Sequence, residues 1–353
     1  MNTKFIITKD DSSDFISRVI QSVGMSSEDA QLWARLMTET SLLGFDTHGI
    51  RMVERYVDFL TQGGASLEKP EVVSSNGATA VIDAHNCMGH LAAWKAMETA
   101  VENAKKYGIS FTAVKNAGHI GACSLYSKAL AERDCIGFCS TTSRPGIAPT
   151  GGIKPTVGIN PLSVSAPIEK DSFFLLDMST TVTAMGKVTM AIDNGKTIPL
   201  GWALDKNGKP TTDPKEGRDG SLLPIGGYKG YGLALAIELL CSALTNSSFA
   251  GEITSWIANP GNPTRIPFSI IAIDIAHFQD PANFKTRVKD WLSKVIDVPK
   301  QEGVDRIYFP GGIENELYKS RINEGIPLEA VTVESFRRLA KKYSLAEPKI
   351  IES

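Results

Sequence analysis

Apolar positions in the first 65 residues recur at the spacing of amphipathic helices. The pattern predicts one helix carrying apolar positions 15, 16, 19 and 20, a second from about residue 26 to residue 43, and a third from residue 52 to residue 60. Serines precede the first two helices as candidate caps, and a Gly-Gly pair ends the third. Residues 44–50, Gly-Phe-Asp-Thr-His-Gly-Ile, therefore form a tight connection between two helices.

The pattern changes at residue 79, where strand-like and helical segments begin to alternate. Residues 79–83 and 109–115 read as strands on either side of a helix over 91–106, which is a βαβ-like unit. A helix over 124–133 and strands over 136–142, 173–178 and 268–275 continue the alternation, with a helix over 229–245. This order indicates an α/β core.

Three further segments carry separate expectations. Residues 193–225 are rich in Gly, Pro, Asp and Lys, which is typical of a functional or mobile excursion rather than a structured one. Residues 233–244 are apolar but too short to cross a bilayer, so we expect a buried helix in which Glu238 is paired. A last helix is predicted over 329–343.

Composition narrows the class of protein. The 353 residues carry 37 basic and 39 acidic side chains, with no basic stripe, so nucleic acid is not an expected partner. The N-terminal stretch lacks the apolar region of a signal peptide, and the five cysteines form no CxxC pair. These features predict a soluble cytoplasmic protein of two or more lobes that needs neither membrane nor disulfides.

The common nucleotide and hydrolase fingerprints are missing. No G-x-G-x-x-G follows a strand, and neither a P-loop nor G-x-S-x-G occurs. A standard Rossmann fold is therefore not predicted. Candidate chemistry lies instead in Gly-rich segments that contain a His or a Lys.

The first such segment is the connection around His48. An imidazole in a tight turn can exchange a proton near neutral pH, and Thr47 can hold its other ring nitrogen. Arg51 and Arg55 lie one helical turn apart, where a guanidinium can grip a substrate carboxylate. A purely structural role for His48, filling the turn or capping a helix, fits the local pattern equally well.

The second segment, Asn116–Gly121, follows a predicted strand and precedes a helix. Ligands bind at such strand ends because free backbone N–H groups and the helix dipole converge there. His119 is therefore the second candidate acid/base. The competing interpretation is that His119 is a loop histidine whose ring nitrogens form hydrogen bonds with its neighbours.

Three more segments have the composition of anion or ligand contacts. The hydroxyl-rich stretch after Asp177 offers donors for phosphate or ribose, although helix capping explains any one hydroxyl as well. Lys229, framed by glycines at a helix start, resembles an anion cradle. The turn 309–312 can close over a ligand or be a plain turn.

A metal site is not predicted. His85, Cys87 and His90 lie close together, but the spacing has no fourth ligand nearby and falls in a loop between a strand and a helix. A metal-dependent hydrolase or lyase using His48, His119 and Asp177 likewise lacks the usual ligand spacing.

Five segments in chain order resemble the malate/L-lactate dehydrogenase family of NAD(P)-dependent oxidoreductases. They are LLGFDTHGI, VKNAGHIGACSLYSKALAERDCIGF, VGINPLSVSAP, LLDMSTTVTAMGKV and LPIGGYKGYGLALAIELLCSAL. The resemblance runs from about residue 10 to about residue 340.

The resemblance implies a non-Rossmann α/β fold. In the family, helices from both termini form one lobe, here 1–78 plus 313–353. The remaining part, 79–312, forms the α/β core, with the NAD(P)-binding region at about 120–300. The family also implies a homodimer with the site near the subunit boundary.

The resemblance assigns roles to individual residues. His48 matches the proton donor of some members and His119 the acid/base of others. The residues that match dinucleotide contacts are Asp177, Met178, Ser179, Thr180, Thr181, Val182, Thr183, Lys229, Gly230, Pro310, Gly311 and Gly312.

The substrate-binding turn departs from the family pattern. The family commonly has Ser-His-Gly-x-x-Arg, whereas here Thr47 replaces the serine and Met52 stands where the arginine is expected. The alternative ligands for the substrate carboxylate are Arg51, which lies one position earlier, Arg55 and Arg144.

The resemblance predicts reversible hydride transfer between NAD, with NADP open, and a small 2-hydroxy or 2-oxo acid such as malate, lactate or ureidoglycolate. Reduction of a cyclic imine carboxylate is the alternative reaction. A non-catalytic dinucleotide-binding protein is a third interpretation, which the presence of both histidines disfavours.

Overall fold

A computed structural model describes residues 5–352. The helices are α1 Lys9–Gln21, α2 Ser27–Leu42, α3 Val53–Thr61, α4 Gly89–Tyr107, α5 Ser124–Ala131, α6 Met185–Asp193, α7 Pro214–Asp219, α8 Tyr228–Glu238, α9 Pro281–Ile296, α10 Gly312–Glu324 and α11 Ala330–Lys342. Short 3₁₀ turns occur at Ile50–Met52, Ala250–Glu252 and Ile275–His277, and a π-helical turn at Leu239–Ala243 continues α8.

The strands are β1 Phe5–Ile7, β2 Glu71–Asn76, β3 Thr79–Asp83, β4 Ile109–Ala117, β5 Cys135–Thr141, β6 Pro145–Ile147, β7 Val157–Gly158, β8 Leu162–Glu169, β9 Ser172–Met178, β10 Ala203–Leu204, β11 Pro210–Thr211, β12 Ser221–Leu222, β13 Ile266–Asp274, β14 Ile326–Leu328 and β15 Ile350–Glu352. The predicted segments 79–83, 91–106, 109–115, 136–142, 173–178 and 268–275 all fall on elements of the predicted type.

Seven strands form the central sheet in the order β2-β3-β4-β13-β5-β8-β9. Strands β3 and β4 are parallel and are joined by α4, so the predicted βαβ unit is confirmed. All other neighbours pair antiparallel, with Ile270 of β13 opposite Thr112 of β4 and Cys139 of β5. This order differs from a doubly wound parallel sheet, in agreement with the missing Rossmann fingerprint.

The two ends of the chain share one hydrophobic cluster. Helices α1, α2 and α3 pack with α11, and the rings of Phe15 and Phe336 lie 5.1 Å apart. A small sheet adds to this contact, because β1 pairs with β14 on one side and β15 on the other. The cluster also takes in Trp256 from the loop before β13. The exact lobe boundaries stay a prediction.

One expectation from the sequence is wrong and a second is only half right. The excursion 193–225 is structured, because β10, β11 and β12 form a five-stranded sheet with β6 and β7, and α7 packs beside it. The apolar segment 233–244 is buried on one side only: Ala234, Ile237 and Cys241 are buried, whereas Leu239 and Leu244 are 62% and 60% exposed. Apart from Glu238 and Ser242 its residues are apolar, so no helical periodicity distinguishes a core helix from one that packs on one side only.

Glu238 on α8 is buried and paired, as predicted. One carboxylate oxygen accepts a hydrogen bond from the Asn160 amide at 3.1 Å, and the Ser242 hydroxyl donates to the other at 3.4 Å. Burial raises the pKa of Glu238. No helix within residues 5–352 has the length and apolar character needed to span a membrane.

Candidate active site

The turn that carries His48 is held by the C-terminal part of the chain. Arg321 on α10 donates hydrogen bonds to both carboxylate oxygens of Asp46, at 2.7 and 3.0 Å, and to the backbone carbonyl of Ser41. The Ser41 hydroxyl accepts from the backbone N–H of Ile50 at 3.0 Å. Both sides of the turn are thereby fixed. The sequence did not single out Arg321, because it lies 275 positions from Asp46 in the chain.

His48 contacts its neighbour through one ring nitrogen. Its Nδ1 lies 2.9 Å from the Thr47 hydroxyl oxygen, the contact that the sequence suggested. Thr47 also lies close to the start of α6, since a Cβ on Gly186 would be 3.7 Å from the Thr47 methyl carbon. The turn therefore approaches the segment that follows Ser179–Thr183.

His119 is held by three neighbours. Its Nδ1 lies 2.6 Å from the Tyr56 hydroxyl oxygen and 3.3 Å from the backbone nitrogen of Gly121. The indole of Trp256 stacks on the imidazole at 5.0 Å and on the Tyr56 ring at 4.6 Å. Neither Tyr56 nor Trp256 stood out in the sequence, where they are ordinary apolar positions of a helix and a loop.

The two candidate histidines meet in the fold. The rings of His48 and His119 are stacked, with centroids 5.7 Å apart and an interplanar angle of 22°, and both are partly exposed. Burial of the rest of the ring lowers the pKa of His48. The pKa of His119 lies well below its usual value because of burial and of the nearby rings of His48 and His90. Once one of these two neighbouring rings is protonated, protonation of the other is strongly disfavoured.

His90 lies behind this pair in the core. It is fully buried, accepts a hydrogen bond from the Trp33 indole at 3.3 Å, and meets the edge of the Tyr56 ring. Burial and the proximity of His48 lower its pKa to about 3. Gly121 is required beside it, because its φ is +75° and a Cβ there would lie 2.6 Å from His90 Nε2.

The segments expected to contact a dinucleotide lie side by side. The backbone N–H of Ile225 donates to the Thr180 carbonyl at 3.0 Å, and Val182 donates to the Leu223 carbonyl at 2.9 Å. The hydroxyls do not cap α6: Thr180 donates to the Ile159 carbonyl, while Ser179 and Thr181 bond each other. Thr183 Oγ1 is buried without a hydrogen-bond partner among residues 5–352.

These segments border a small cavity at the start of α8. A cavity of about 230 Å³ is lined by Ile225, Gly226, Lys229, Gly230 and Leu233. A Cβ on Gly230 would lie 2.6 Å from the Ile225 carbonyl oxygen and 2.7 Å from that of Thr180, so only glycine permits this close approach. Lys229 is exposed at the start of α8, where the helix dipole also favours an anion.

Asp177 and the turn 310–312 lie at the outer strand β9. The Asp177 carboxylate accepts the backbone N–H of Ser124 at 2.7 Å, at the start of α5, and burial raises its pKa to about 6. Met178 ends β9 and pairs with Leu162. The Pro310 carbonyl accepts the Leu175 N–H at 2.9 Å, and Gly311 and Gly312 begin α10. The turn 310–312 thus lies along β9, whose end leads into Ser179–Thr183, and Gly230 lies beside the Thr180 carbonyl.

The three candidate arginines are not equivalent. Arg51 forms an ion pair with Glu329 at 2.9 Å. Arg55 and Arg144 are exposed. Met52, at the position where the family has its arginine, is 9% exposed and belongs to the hydrophobic cluster of the two chain ends.

The described part of the chain contains no cluster of metal-ligating side chains. Within residues 5–352, no group of three or more His, Cys, Asp or Glu side chains is arranged to hold a metal ion. Cys87 and His90 are fully buried, whereas His85 faces Glu71 and Asp83 at 3.6 and 3.7 Å.

Comparison with known proteins identifies the family. The sequence profile of the malate/L-lactate dehydrogenase family matches residues 7–337. The chain is 32% identical to a malate/(S)-sulfolactate dehydrogenase of Methanothermus fervidus, over 96% of this chain and 98% of that protein. It is 30% identical to the ureidoglycolate dehydrogenase (NAD(+)) of Escherichia coli K12, over 91% and 92%. A (2R)-3-sulfolactate dehydrogenase (NADP(+)) of Chromohalobacter salexigens is 28% identical, over 91% and 94%.

Solved structures agree with these matches. A malate dehydrogenase from Entamoeba histolytica superposes with a TM-score of 0.93 at 31% identity, covering 98% of this chain and all of that one. A delta1-piperideine-2-carboxylate reductase from Pseudomonas syringae superposes with a TM-score of 0.84 at 26% identity, covering 95% and 99%. The chain belongs to the malate/L-lactate dehydrogenase family and has its fold. It is an oxidoreductase of the NAD(P)-dependent 2-hydroxy acid dehydrogenase type.

Proposed function

We propose that this protein transfers hydride reversibly between NAD(H) and a small 2-hydroxy or 2-oxo acid, with His48 and His119 managing the proton. The observation that carries the proposal is the stacked pair of imidazoles, next to a turn that reaches the start of α6. The hydroxyl-rich and glycine-rich segments that precede α6 and open α8 lie side by side. Acid/base groups and an anion cradle thus occupy neighbouring parts of one site.

The proton chemistry follows from the reaction. Reduction of a carbonyl places negative charge on its oxygen, and an imidazole group can stabilise that charge and deliver a proton. The aromatic packing of Trp256 and Tyr56 against His119 excludes water from one side of the ring. Such general acid assistance is worth about 10²–10⁴-fold in rate.

The dinucleotide would be held by the segments around the end of β9. Bound there, it supplies the hydride equivalent. Lys229 and the N-terminus of α8 provide positive potential for its phosphates, and the unpartnered Thr183 hydroxyl offers a free hydrogen-bonding group. Asp177 to Thr183 and Pro310 to Gly312 would complete the contact surface. We propose NAD as the cofactor, with NADP as the alternative, since named relatives use one or the other.

The carboxylate of the substrate requires a cation, and the buried Met52 cannot supply one. Arg51 is engaged with Glu329, so Arg55 and Arg144 are the free guanidinium groups for this task, with Arg51 available only if that ion pair opens. Thr47 would hold His48 and meet the substrate from the same turn.

A cyclic imine carboxylate is the second candidate substrate. The likeness to a delta1-piperideine-2-carboxylate reductase favours it, because an imine carbon is reduced by the same hydride and proton delivery. The two reactions differ in the atom that receives the proton, nitrogen rather than oxygen.

A substrate panel tests the proposed function. Oxidation of NADH and of NADPH is followed by absorbance with pyruvate, oxaloacetate, 3-sulfopyruvate and a cyclic imine carboxylate. We expect turnover with at least one 2-oxo acid and preference for NADH. Turnover with the imine alone would mean that the substrate is a cyclic imine carboxylate and not a 2-oxo acid. Tight NADH binding without turnover on any member would make the protein a dinucleotide-binding protein instead.

We also propose a homodimer. The exposed leucines of α8 and its π-helical turn, Leu233, Leu235, Leu239 and Leu244, form an apolar surface of the kind that marks contacts between subunits. Cytoplasmic location stays a prediction, as does the lobe division at residues 78 and 313.

A further inference from the structure

The hydrogen bonds at His119 Nδ1 define its protonation. The backbone N–H of Gly121 points at this nitrogen at 3.3 Å, and a backbone N–H can only donate. Nδ1 must therefore present its lone pair. The Tyr56 hydroxyl, at 2.6 Å from the same nitrogen, must then donate as well. In a neutral imidazole one nitrogen carries the proton, so that proton is on Nε2.

We infer that Tyr56 is a positioning residue that, with the Gly121 amide, holds His119 as a neutral ring protonated on Nε2. The Nε2–H of His119 can then donate a hydrogen bond to the substrate oxygen without giving up its proton. This inference rests on the proposed function for the role of His119, although the tautomer itself does not depend on it. Protonation of Nδ1 would place its hydrogen against the hydrogen of the Gly121 amide.

His48 is arranged differently. Its Nδ1 meets the Thr47 hydroxyl, which can donate to a neutral ring or accept from a charged one. Both protonation states of His48 keep this contact. His48 is therefore the ring that transfers the proton: its Nε2–H bond breaks, the substrate oxygen gains the proton, and His48 returns to the neutral form while His119 keeps its own. The two histidines have separate tasks, hydrogen-bond donation and proton transfer.

The surroundings of His119 support this division. The titratable groups that face it are His48 on the open side, Tyr56 on α3 and, behind, His90, and none of them carries a negative charge near neutral pH. Trp256 covers another part of the ring. Among residues 5–352 no carboxylate contacts this ring, so these residues do not stabilise an imidazolium there.

Nitrogen NMR of the full chain labelled with ¹⁵N-histidine tests the inference. The sequence has five histidines, so five pairs of ring nitrogen signals are assigned by single substitutions. We expect wild-type His119 to show a protonated Nε2 and an unprotonated Nδ1, and His48 to titrate while His119 does not. In Tyr56→Phe, which keeps the ring in the stack, the two His119 nitrogen signals should move toward each other as the second tautomer is populated. Tyr318→Phe, which removes a hydroxyl bonded to Glu39 at 3.4 Å, is the matched control and should leave His119 unchanged.

Activity adds a second measurement. We expect kcat of Tyr56→Phe to fall about five- to tenfold, the equilibrium value of one buried hydrogen bond, with little change in KM. A proton on Nδ1 of wild-type His119, or identical His119 signals in wild type and Tyr56→Phe, would overturn the inference. Absence of turnover across the substrate panel would instead remove the proposed function, and the NMR result would still decide the tautomer.

Discussion

Arg321 binds both carboxylate oxygens of Asp46, two residues before His48, and so ties α10 to the turn that carries His48. The Arg321 side chain is only 12% exposed, and its planar fork matches the carboxylate in a way that a lysine ammonium does not. A residue close to the C-terminus of the chain therefore sets the position of a histidine close to its beginning.

Replacing Arg321 with Lys should loosen the His48 turn. We expect kcat/KM to fall about tenfold, because misplacement of an acid/base group reduces the rate without abolishing the site. Arg338→Lys is the matched control, since Arg338 makes a similar two-bond contact with Glu54, at 2.9 and 2.6 Å, on an exposed surface. Steady-state kinetics and thermal melts are measured for both. Equal loss of activity in the two variants would show that the Asp46 contact has no special role.

The histidines themselves provide the direct test of the proposed chemistry. His48→Ala should lower turnover by about 10²–10⁴-fold through loss of the acid/base group, and His119→Ala by about 10²–10³-fold through loss of a hydrogen-bond donor to the substrate oxygen. The control is His85→Asn, because His85 lies outside the site and its φ of +47° is tolerated by asparagine. If both alanine variants keep more than about a tenth of wild-type turnover, the acid/base assignment is wrong.

The arginine that binds the substrate carboxylate can be identified from KM. Arg51→Gln, Arg55→Gln and Arg144→Gln are compared with Arg287→Gln, an exposed arginine on α9. Because Arg51 is paired with Glu329, we expect the larger effect at Arg55 or Arg144, with KM raised about tenfold or more for loss of a charged hydrogen bond. Unchanged KM in all three variants would exclude them as carboxylate ligands.

Stability should fall as the solution becomes acidic, partly because of His90. Its pKa of about 3 in the folded protein is below the usual value of 6.5, so the unfolded chain binds more protons between those values. This one group lowers the free energy of unfolding by about 1.4 kcal/mol per pH unit as pH falls through that window. Asp177, with a raised pKa of about 6, acts in the opposite direction below that pH.

Urea denaturation at pH 7 and pH 5 measures this effect. His90→Gln keeps an acceptor for the Trp33 indole but cannot be protonated, and Asp177 is common to both proteins. We therefore expect the free energy of unfolding to change less between pH 7 and pH 5 in His90→Gln than in the wild type. The two changes should differ by about the contribution of one proton. An equal pH dependence in both proteins would mean that His90 is not held neutral by the fold.

The exposed leucines of α8 make the homodimer testable. Leu239→Asp should shift the protein toward the mass of one 38.1 kDa chain in sedimentation, because a carboxylate in an apolar interface is costly to desolvate. Val331→Asp places the same change at another exposed position, on α11, and should leave the mass unchanged. A wild-type protein that sediments as a monomer would exclude the dimer.

Much of the architecture was predictable from local patterns. The helices of the first 65 residues, the β3-α4-β4 unit and strands β5, β9 and β13 follow from apolar periodicity. The position of β13 between β4 and β5 could not be predicted in this way, because pairing between distant strands leaves no local signal. The structured excursion 193–225 escaped for the same reason: its short strands depend on partners in β6 and β7.

The sequence by itself determined the family, the α/β class and the candidate residues, because motif residues and their order are written directly in the chain. Only the tertiary structure decided which of those residues lie together and what contacts they make. It brought His48 and His119 within 5.7 Å, paired Arg51 with Glu329, buried Met52 and supplied Tyr56, Trp256 and Arg321 as neighbours. Hydrogen bonds, stacking and desolvation act between atoms that are close in space, whereas a motif records only residues that are close along the chain.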